Sequence, residues 1–255
     1  MKSFTAFLFA CITTVLIGQT ESINKLTLEL PNRSFDTIIQ HTGYSFSYNQ
    51  KYKQANWVAY QLTRAETSKL YDRENKFVAD PLIPGTELSL DYEKSGYDRG
   101  HLAPAADMGF SKITMTESFY YSNMSPQVLG FNRGIWKQLE EQTRNWAIEY
   151  DSLYIVVGPI FSDSMKVIGP HQVAVPNAYY KVILDSHKGK EKMIGFVMRN
   201  EGSKNSLQSF VVSVDRVEEM TDIDFFPLLD DTLESKLESL ILIKTWNWKN
   251  VKKKK

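Results

Sequence analysis

Cysteine is nearly missing from this chain of 255 residues: there is one, Cys11, and it falls inside an apolar N-terminal run. A single thiol excludes an internal disulfide framework and a multi-thiolate metal site. An excess of charge of either sign is missing too, since 30 Lys and Arg balance 30 Asp and Glu. That excludes a surface coated in positive charge but leaves room for a local basic patch. The apolar run over residues 4–18 falls short of the ~20 residues that span a bilayer. Internal repeats, low-complexity linkers and any evident domain break are absent as well. Histidine is scarce, at four residues, and His101 has no second histidine near it in sequence. That argues against a zinc site built on paired histidines.

What is present begins with a leader-like segment. Lys2 precedes the apolar run, and polar Gln19, Thr20, Glu21 and Ser22 follow it. This is the pattern of a secretory signal peptide over residues 1–22 and predicts a secreted or periplasmic protein, with an uncleaved anchor as the alternative. No stable membrane association is expected once the segment is removed. Residues 23–248 then read as one domain and 249–255 as a solvated basic tail. Hydrophobic residues at 42% and aromatics at 13% allow a sizeable core.

Residues 56–63, 153–157, 173–175, 179–184 and 192–199 read as strands, with 209–214 β-prone. Residues 114–121 read as a short helix, 131–150 as the clearest helix, and 233–243 as a closing amphipathic helix. Strands and short helices are interspersed without regular crossovers, which predicts an α+β domain.

The stretch Tyr97-Asp98-Arg99-Gly100-His101-Leu102-Ala103-Pro104 concentrates the chemistry. Gly100 predicts a sharp bend and Pro104 a fixed exit. His101 is the natural proton acceptor near neutral pH, and Arg99 a natural partner for phosphate. Asp98 could orient either. Alone, the string reads equally as an exposed turn with a surface ion pair. Downstream, Asn132, Trp136, Glu140 and Arg144 stand four apart, so on a helix they drift only ~40° per step and form a stripe. The polar members could line a cleft; the blander reading is a polar flank with a Glu140–Arg144 ion pair. Asn123, in Ser122-Asn123-Met124-Ser125-Pro126, is either a turn residue, a support for the histidine loop or a holder of a metal's water. The oxygen donors suit Mg²⁺. His41, His171 and His187 lack ligand spacing and read as surface or hydrogen-bonded residues.

Taken in order, Asp98-Arg99-Gly100-His101, Asn123, Asn132 and Glu140 resemble the DNA/RNA non-specific endonuclease family. Segments such as Trp57-Val58-Ala59-Tyr60, Asn132-Arg133-Gly134-Ile135-Trp136, Val157-Gly158-Pro159-Ile160-Phe161 and Asp224-Phe225-Phe226-Pro227 extend the resemblance over roughly residues 45–240. The resemblance implies a ββα-metal (His-Me finger) nuclease with a central, mostly antiparallel β-sheet flanked by helices. It implies His101 as general base and Asn132 as direct Mg²⁺ ligand, with Mn²⁺ as a substitute, and Glu140 as a ligand through water. Asn123 would be the active-site asparagine. Arg99, Arg144 and, on looser spacing, Arg73 would contact phosphate, with Asp98 as a structural support. The implied partners are DNA and RNA, and a homodimer is admitted. The implied reaction is phosphodiester hydrolysis to 5′-phosphate products. The alternatives are an inactive nucleic-acid binder on the same fold and a phosphodiesterase for another substrate.

Overall fold

The computed structural model describes residues 27–32 and 36–248. The leader expected over 1–22, with Cys11, and the basic tail 249–255 lie outside the described residues. In chain order the strands are β1 (Ile38–Gln40), β2 (Ser45–Asn49), β3 (Gln54–Thr63), β4 (Tyr97–His101), β5 (Met124–Val128), β6 (Ser152–Ile160), β7 (Lys166–Ile168), β8 (Val173–Val175), β9 (Ala178–Asp185), β10 (Lys192–Arg199) and β11 (Val211–Val212). The helices are α1 (Ser89–Tyr92), α2 (Lys112–Glu117), α3 (Lys137–Tyr150), α4 (Val214–Thr221) and α5 (Asp231–Glu238).

Seven strands form one sheet in the order β1-β2-β3-β6-β9-β10-β11, every neighbour antiparallel. β4–β5 and β7–β8 form two separate antiparallel pairs. Alternation sorts the side chains to two faces. On one face Val58, Tyr60, Ile155, Val157, Tyr179 and Ile183 pack against Ile135, Leu139, Trp146 and Ala147 on or next to α3. On the other, Trp57, Ala59, Val156, Tyr180, Val182 and Leu184 meet Val214, Val217 and Leu237 of α4 and α5. Both faces being covered explains why the central strands read as unbroken apolar runs. Three of the five tryptophans, Trp57, Trp136 and Trp146, are fully buried, and Trp246 and Trp248 close over Trp146 at ring distances of 4.6 and 5.0 Å.

Four expectations change. The short helix expected over 114–121 runs instead from Lys112 to Glu117, started by Ser111, which accepts from the Thr114 N–H. The helix expected over 131–150 is interrupted: Phe131–Trp136 winds as a wider π-type turn, broken at Gly134 (φ −109°, ψ −110°), and the regular helix starts at Lys137. Residues 209–214 yield only the two-residue β11 and then α4, which Ser213 caps by accepting from the Arg216 N–H at 3.3 Å. The β-branched run Val211, Val212, Val214 hid that helix start. The closing helix is shorter than expected, Asp231–Glu238, started by Asp230 as its cap.

Gly100 also departs from expectation. It lies inside β4, opposite Ser125, rather than at a bend. A Cβ there would sit 2.2 Å from the side chain of Gln127, which is fully buried. The glycine leaves room for a neighbour across the strand pair. Gly100→Ala should therefore destabilise the fold by about 1–3 kcal/mol through overpacking. At Gly109 an added Cβ meets nothing nearer than 3.5 Å, and Gly109→Ala should cost less. Urea unfolding of the two variants checks the difference.

Candidate active site

β4 ends on His101, and the chain beyond it is held by Asn123 at the start of β5. The Leu102 N–H donates to the Asn123 carbonyl at 3.0 Å. The Ala103 N–H donates to Asn123 Oδ1 at 2.8 Å, while Nδ2 donates to the carbonyls of Ala103 and Ser118 at 2.9 and 2.8 Å. Asn123 is fully buried, and both ends of its amide are engaged. It clasps the histidine loop and does not line the cleft. Of the readings left open from sequence, this geometry is that of a support for the histidine loop.

His101 is 7% exposed, edge-on to Phe119 with ring centroids 4.9 Å apart. Its ring hydrogen-bonds the Arg99 carbonyl, while Nε2 is buried without a partner. The network therefore assigns the proton to Nδ1 and the free lone pair to Nε2. Burial, reinforced by the charge of Arg73 and opposed by the Arg99 carbonyl, lowers its pKa to about 3.

The wide turn before α3 and α3 itself supply the second wall. Asp98 organises its start. Asn132 Nδ2 donates to Asp98 Oδ2 at 2.9 Å, and Arg133 donates to both Asp98 oxygens at 2.8 and 2.6 Å. Burial raises the Asp98 pKa, but the bonds from Arg133 and Asn132 outweigh it and hold the carboxyl below its usual range. With Nδ2 engaged, Asn132 Oδ1 is left without a hydrogen bond among the described residues. Trp136, the apolar member of the four-residue series, turns into the core against Phe131 and Tyr179. The polar members Asn132, Glu140 and Arg144 line one cleft of about 430 Å³ together with Arg73, Arg99, His101, Arg133 and Lys137. The cleft lining thus holds five cations and one carboxylate, with Arg133, Arg144 and Lys137 ion-paired to Asp98, Asp107 and Glu141, and Arg73 and Arg99 without a carboxylate partner among the described residues.

The expected Glu140–Arg144 ion pair does not form. Arg144 Nη1 instead donates to Asp107 Oδ1 at 2.6 Å, and Asp107, fully buried, also accepts from the Tyr60 hydroxyl at 2.8 Å. Glu140 makes no hydrogen bond or ion pair among the described residues. Burial raises its pKa to about 7, against the pull of Lys181 and Arg144. Lys181 projects from β9 on the α3 face, fully buried, its Nζ without a hydrogen-bond partner and 5.3 Å from the Trp136 ring centroid. Arg99 lies over the rings of Phe77 and Tyr92 at 5.2 and 5.6 Å and donates to the Tyr121 hydroxyl at 3.1 Å. Arg73 lies 4.9 Å from the Phe119 ring centroid and donates to Asn75 Oδ1 at 2.6 Å.

Asp107, Arg133 and Lys181 were given no role from sequence. For Lys181 a signal existed: a lysine in the middle of the apolar run 179–184. Asp107 and Arg133 carry none, because their partners are 37 and 35 residues away. Of the remaining histidines, His41 and His171 are hydrogen-bonded through their rings to Asp80 and Asp91, each at 2.8 Å, and His187 is an exposed residue with its ring 3.8 Å from Asp185.

The free oxygens of Asn132 and Glu140, with no sulfur or second histidine beside them, form a donor set suited to a hard divalent cation that keeps part of its water shell. The guanidinium groups facing the same cleft can pair with an anion through their forked N–H donors.

Two outcomes follow. Asp107→Ala removes the partner of the half-buried Arg144 guanidinium and the acceptor of the Tyr60 hydroxyl and should cost about 2–3 kcal/mol, while Tyr60→Phe should cost about 1 kcal/mol; thermal and urea unfolding measure both. His101 also makes stability depend on pH. Its folded pKa of about 3 lies below the ordinary 6.5, so below pH ~6.5 the unfolded chain takes up a proton that the folded chain refuses. Its stabilising contribution is complete above that pH and is lost toward pH 3, by at most about 1.4 kcal/mol per pH unit. Unfolding in EDTA at pH 7.5, 6 and 5 should show a shallower loss for His101→Gln than for the wild type.

The sequence model of the DNA/RNA non-specific endonuclease family matches residues 24–232. The chain is 35% identical over 209 residues to "Nuclease EXOG, mitochondrial" of Xenopus laevis, covering 75% of this chain and 58% of that protein. It is 35% identical over 211 residues to Nuclease C1 of Cunninghamella echinulata var. echinulata, covering 76% and 84%. The crystal structure of the EndoG/EndoGI complex contains a chain similar to this one at a TM-score of 0.73 and 32% identity, covering 78% of this chain and 89% of that chain. This chain therefore spans little more than half the length of the Xenopus relative and most of the fungal one. The expected secreted or periplasmic location is corrected: the Xenopus relative is named as mitochondrial. A positive start before an apolar run is a targeting pattern that does not by itself say which membrane reads it. With the ββα-metal arrangement of β4, β5 and α3 and a family match across most of its length, this chain belongs to the DNA/RNA non-specific endonuclease family.

Proposed function

We propose that this chain is a metal-dependent, sugar-non-specific endonuclease that hydrolyses phosphodiester bonds of DNA and RNA, leaving a 5′-phosphate and a 3′-hydroxyl. The observation that carries the reading is the unpartnered, neutral His101 Nε2 in the cleft that Asn132, Glu140 and the arginines also line. Membership of a nuclease family supports it.

His101 Nε2 accepts a proton from the attacking water, and the Arg99 carbonyl holds the tautomer that leaves this nitrogen free. Arg99 and Arg73 offset the charge that grows on the phosphoryl oxygens. Arg144, fixed by Asp107, faces the same space. Asn132 would hold Mg²⁺, or Mn²⁺ in its place, with Glu140 reaching it through water. Such a cation, when bound, supplies Lewis-acid stabilisation of the leaving oxygen. Asp98 keeps the Asn132 amide turned so that its oxygen is free. Contacts made to phosphate and sugar carry no base information, which accounts for low sequence specificity.

Purified protein should nick supercoiled plasmid and degrade RNA with Mg²⁺ and do neither in EDTA. His101→Ala should lower the rate by about 10²–10⁴-fold while DNA binding, steeply weakened by salt, is retained. Wild-type binding without cleavage would instead indicate an inactive binder, and preferential turnover of a small diester a different phosphodiesterase.

A further inference from the structure

A second group of carboxylates lies on the opposite face of the sheet, where α4, α5 and the loop between them pack on β10. From Asp215 to Glu238 the chain carries nine carboxylates and two cations. Five of the acids fall into two triads. Asp215, Glu218 and Glu238 each offer an oxygen within 4.8 Å of the others, and so do Asp224, Glu234 and Glu238. Glu238 belongs to both sets.

Glu238 is only 7% exposed; its carboxyl shares a hydrogen bond with that of Glu218, while its Oε1 has no partner. Glu234 Oε1 is also buried and unpartnered. Among the described residues no Lys, Arg or His forms an ion pair with any of the five. Arg216, the nearest cation in sequence, is taken by Glu219 at 2.7 Å. Glu218 is oriented by the Phe225 N–H, which donates to its Oε1 at 3.0 Å. The Asp224 backbone is fixed by hydrogen bonds with Asn32 in both directions, at 2.8 and 2.9 Å. Acids this close, on short helices with no basic partner, repel one another, and burial strengthens the repulsion. Either protons or a cation must relieve it. Burial and the neighbouring carboxylates hold Glu238 up at about 8 and Glu234 at about 7, a sign of how much uncompensated charge the site concentrates.

We propose that Asp224, Glu234 and Glu238 form a binding site for one divalent cation, Ca²⁺ in preference to Mg²⁺, at the triad that holds both unpartnered buried oxygens and separate from the catalytic cleft. An all-oxygen donor set selects a hard cation. Several carboxylates in irregular array suit the 6–8 flexible oxygen ligands of Ca²⁺ better than the strict, water-retaining octahedron of Mg²⁺. An ion there ties α5 to the loop after α4, reaches α4 through the Glu218–Glu238 hydrogen bond, and through Asp224 holds Asn32. Because it binds only the folded chain, it stabilises the native state by mass action.

The test uses the full chain with the cleft's own donors removed, as Asn132→Ala/Glu140→Gln. Calorimetric titration with CaCl₂ should give one site per chain, bound at least tenfold more tightly than MgCl₂, and Ca²⁺ should raise the Tm. Adding Glu234→Gln and Glu238→Gln should weaken Ca²⁺ binding at least tenfold and abolish the rise in Tm. Glutamine keeps the volume and removes charge from a repelling cluster, so this variant should fold at least as well without Ca²⁺. Asp224→Asn, at an exposed residue, should weaken binding in the same direction. Glu238→Gln in the wild-type cleft should leave plasmid cleavage within about twofold, which separates this site from the catalytic reading. No Ca²⁺ heat and no Tm shift in the cleft-blocked protein would overturn the proposal in favour of shared protons. So would binding that both sets of cluster variants leave unchanged.

Discussion

The structure depends on keeping reactive groups desolvated without letting them pair. A buried His101 Nε2 with no partner, a half-buried Glu140 with no ion pair and a fully buried Lys181 with no hydrogen bond meet where α3 lies on the sheet. Each is costly by itself. They persist because groups around them are tightly satisfied. Arg144 is drawn to Asp107 and so does not neutralise Glu140. Asn123 spends its whole amide on the loop after His101, so the histidine is fixed without its free nitrogen being used. The scaffold absorbs polar capacity at one remove and leaves it open at the cleft, which is where perturbed pKa values are expected to gather.

The sheet divides the molecule's charge as well as its core. The chain as a whole is neutral. The face carrying α3 presents Arg73 and Arg99 without carboxylate partners at the cleft, and the face carrying α4 and α5 presents the acidic cluster. A uniformly charged molecule would bind polyanions everywhere or nowhere. A segregated one focuses attraction for anions on one face and repels them on the other. Zero net charge therefore gave no guide to the substrate, because the quantity that matters is where the charges sit.

The sequence was most legible where chemistry and spacing coincide locally. The string from Asp98 to His101 and the series Asn132, Glu140, Arg144 name groups that the structure brings to one cleft, and Arg73 joins them despite its loose spacing. The central strands were legible because both sheet faces are buried, which writes apolar runs into the chain. What was not legible depends on partners distant in sequence. Gly100 looked like a bend because glycine permits one; its actual need is space for Gln127 across a strand pair. Arg144 looked like the partner of Glu140 because i,i+4 is the local rule; Asp107, 37 residues away, takes it instead.

The break at Gly134 joins these two levels. Regular helix from Phe131 would keep Asn132 in line with Trp136, Glu140 and Arg144, and the stripe would be part core and part cleft. The wider turn lets Trp136 enter the core against Tyr179 while Asn132 stays at the cleft, held by Asp98. Irregular helical turns of this kind recur at functional sites. The requirement that sets it here is plain: one short segment must anchor the α3 layer with an indole and, four residues earlier, leave an amide oxygen free in a polar cleft. A straight helix satisfies the first demand, and only the interrupted one satisfies both.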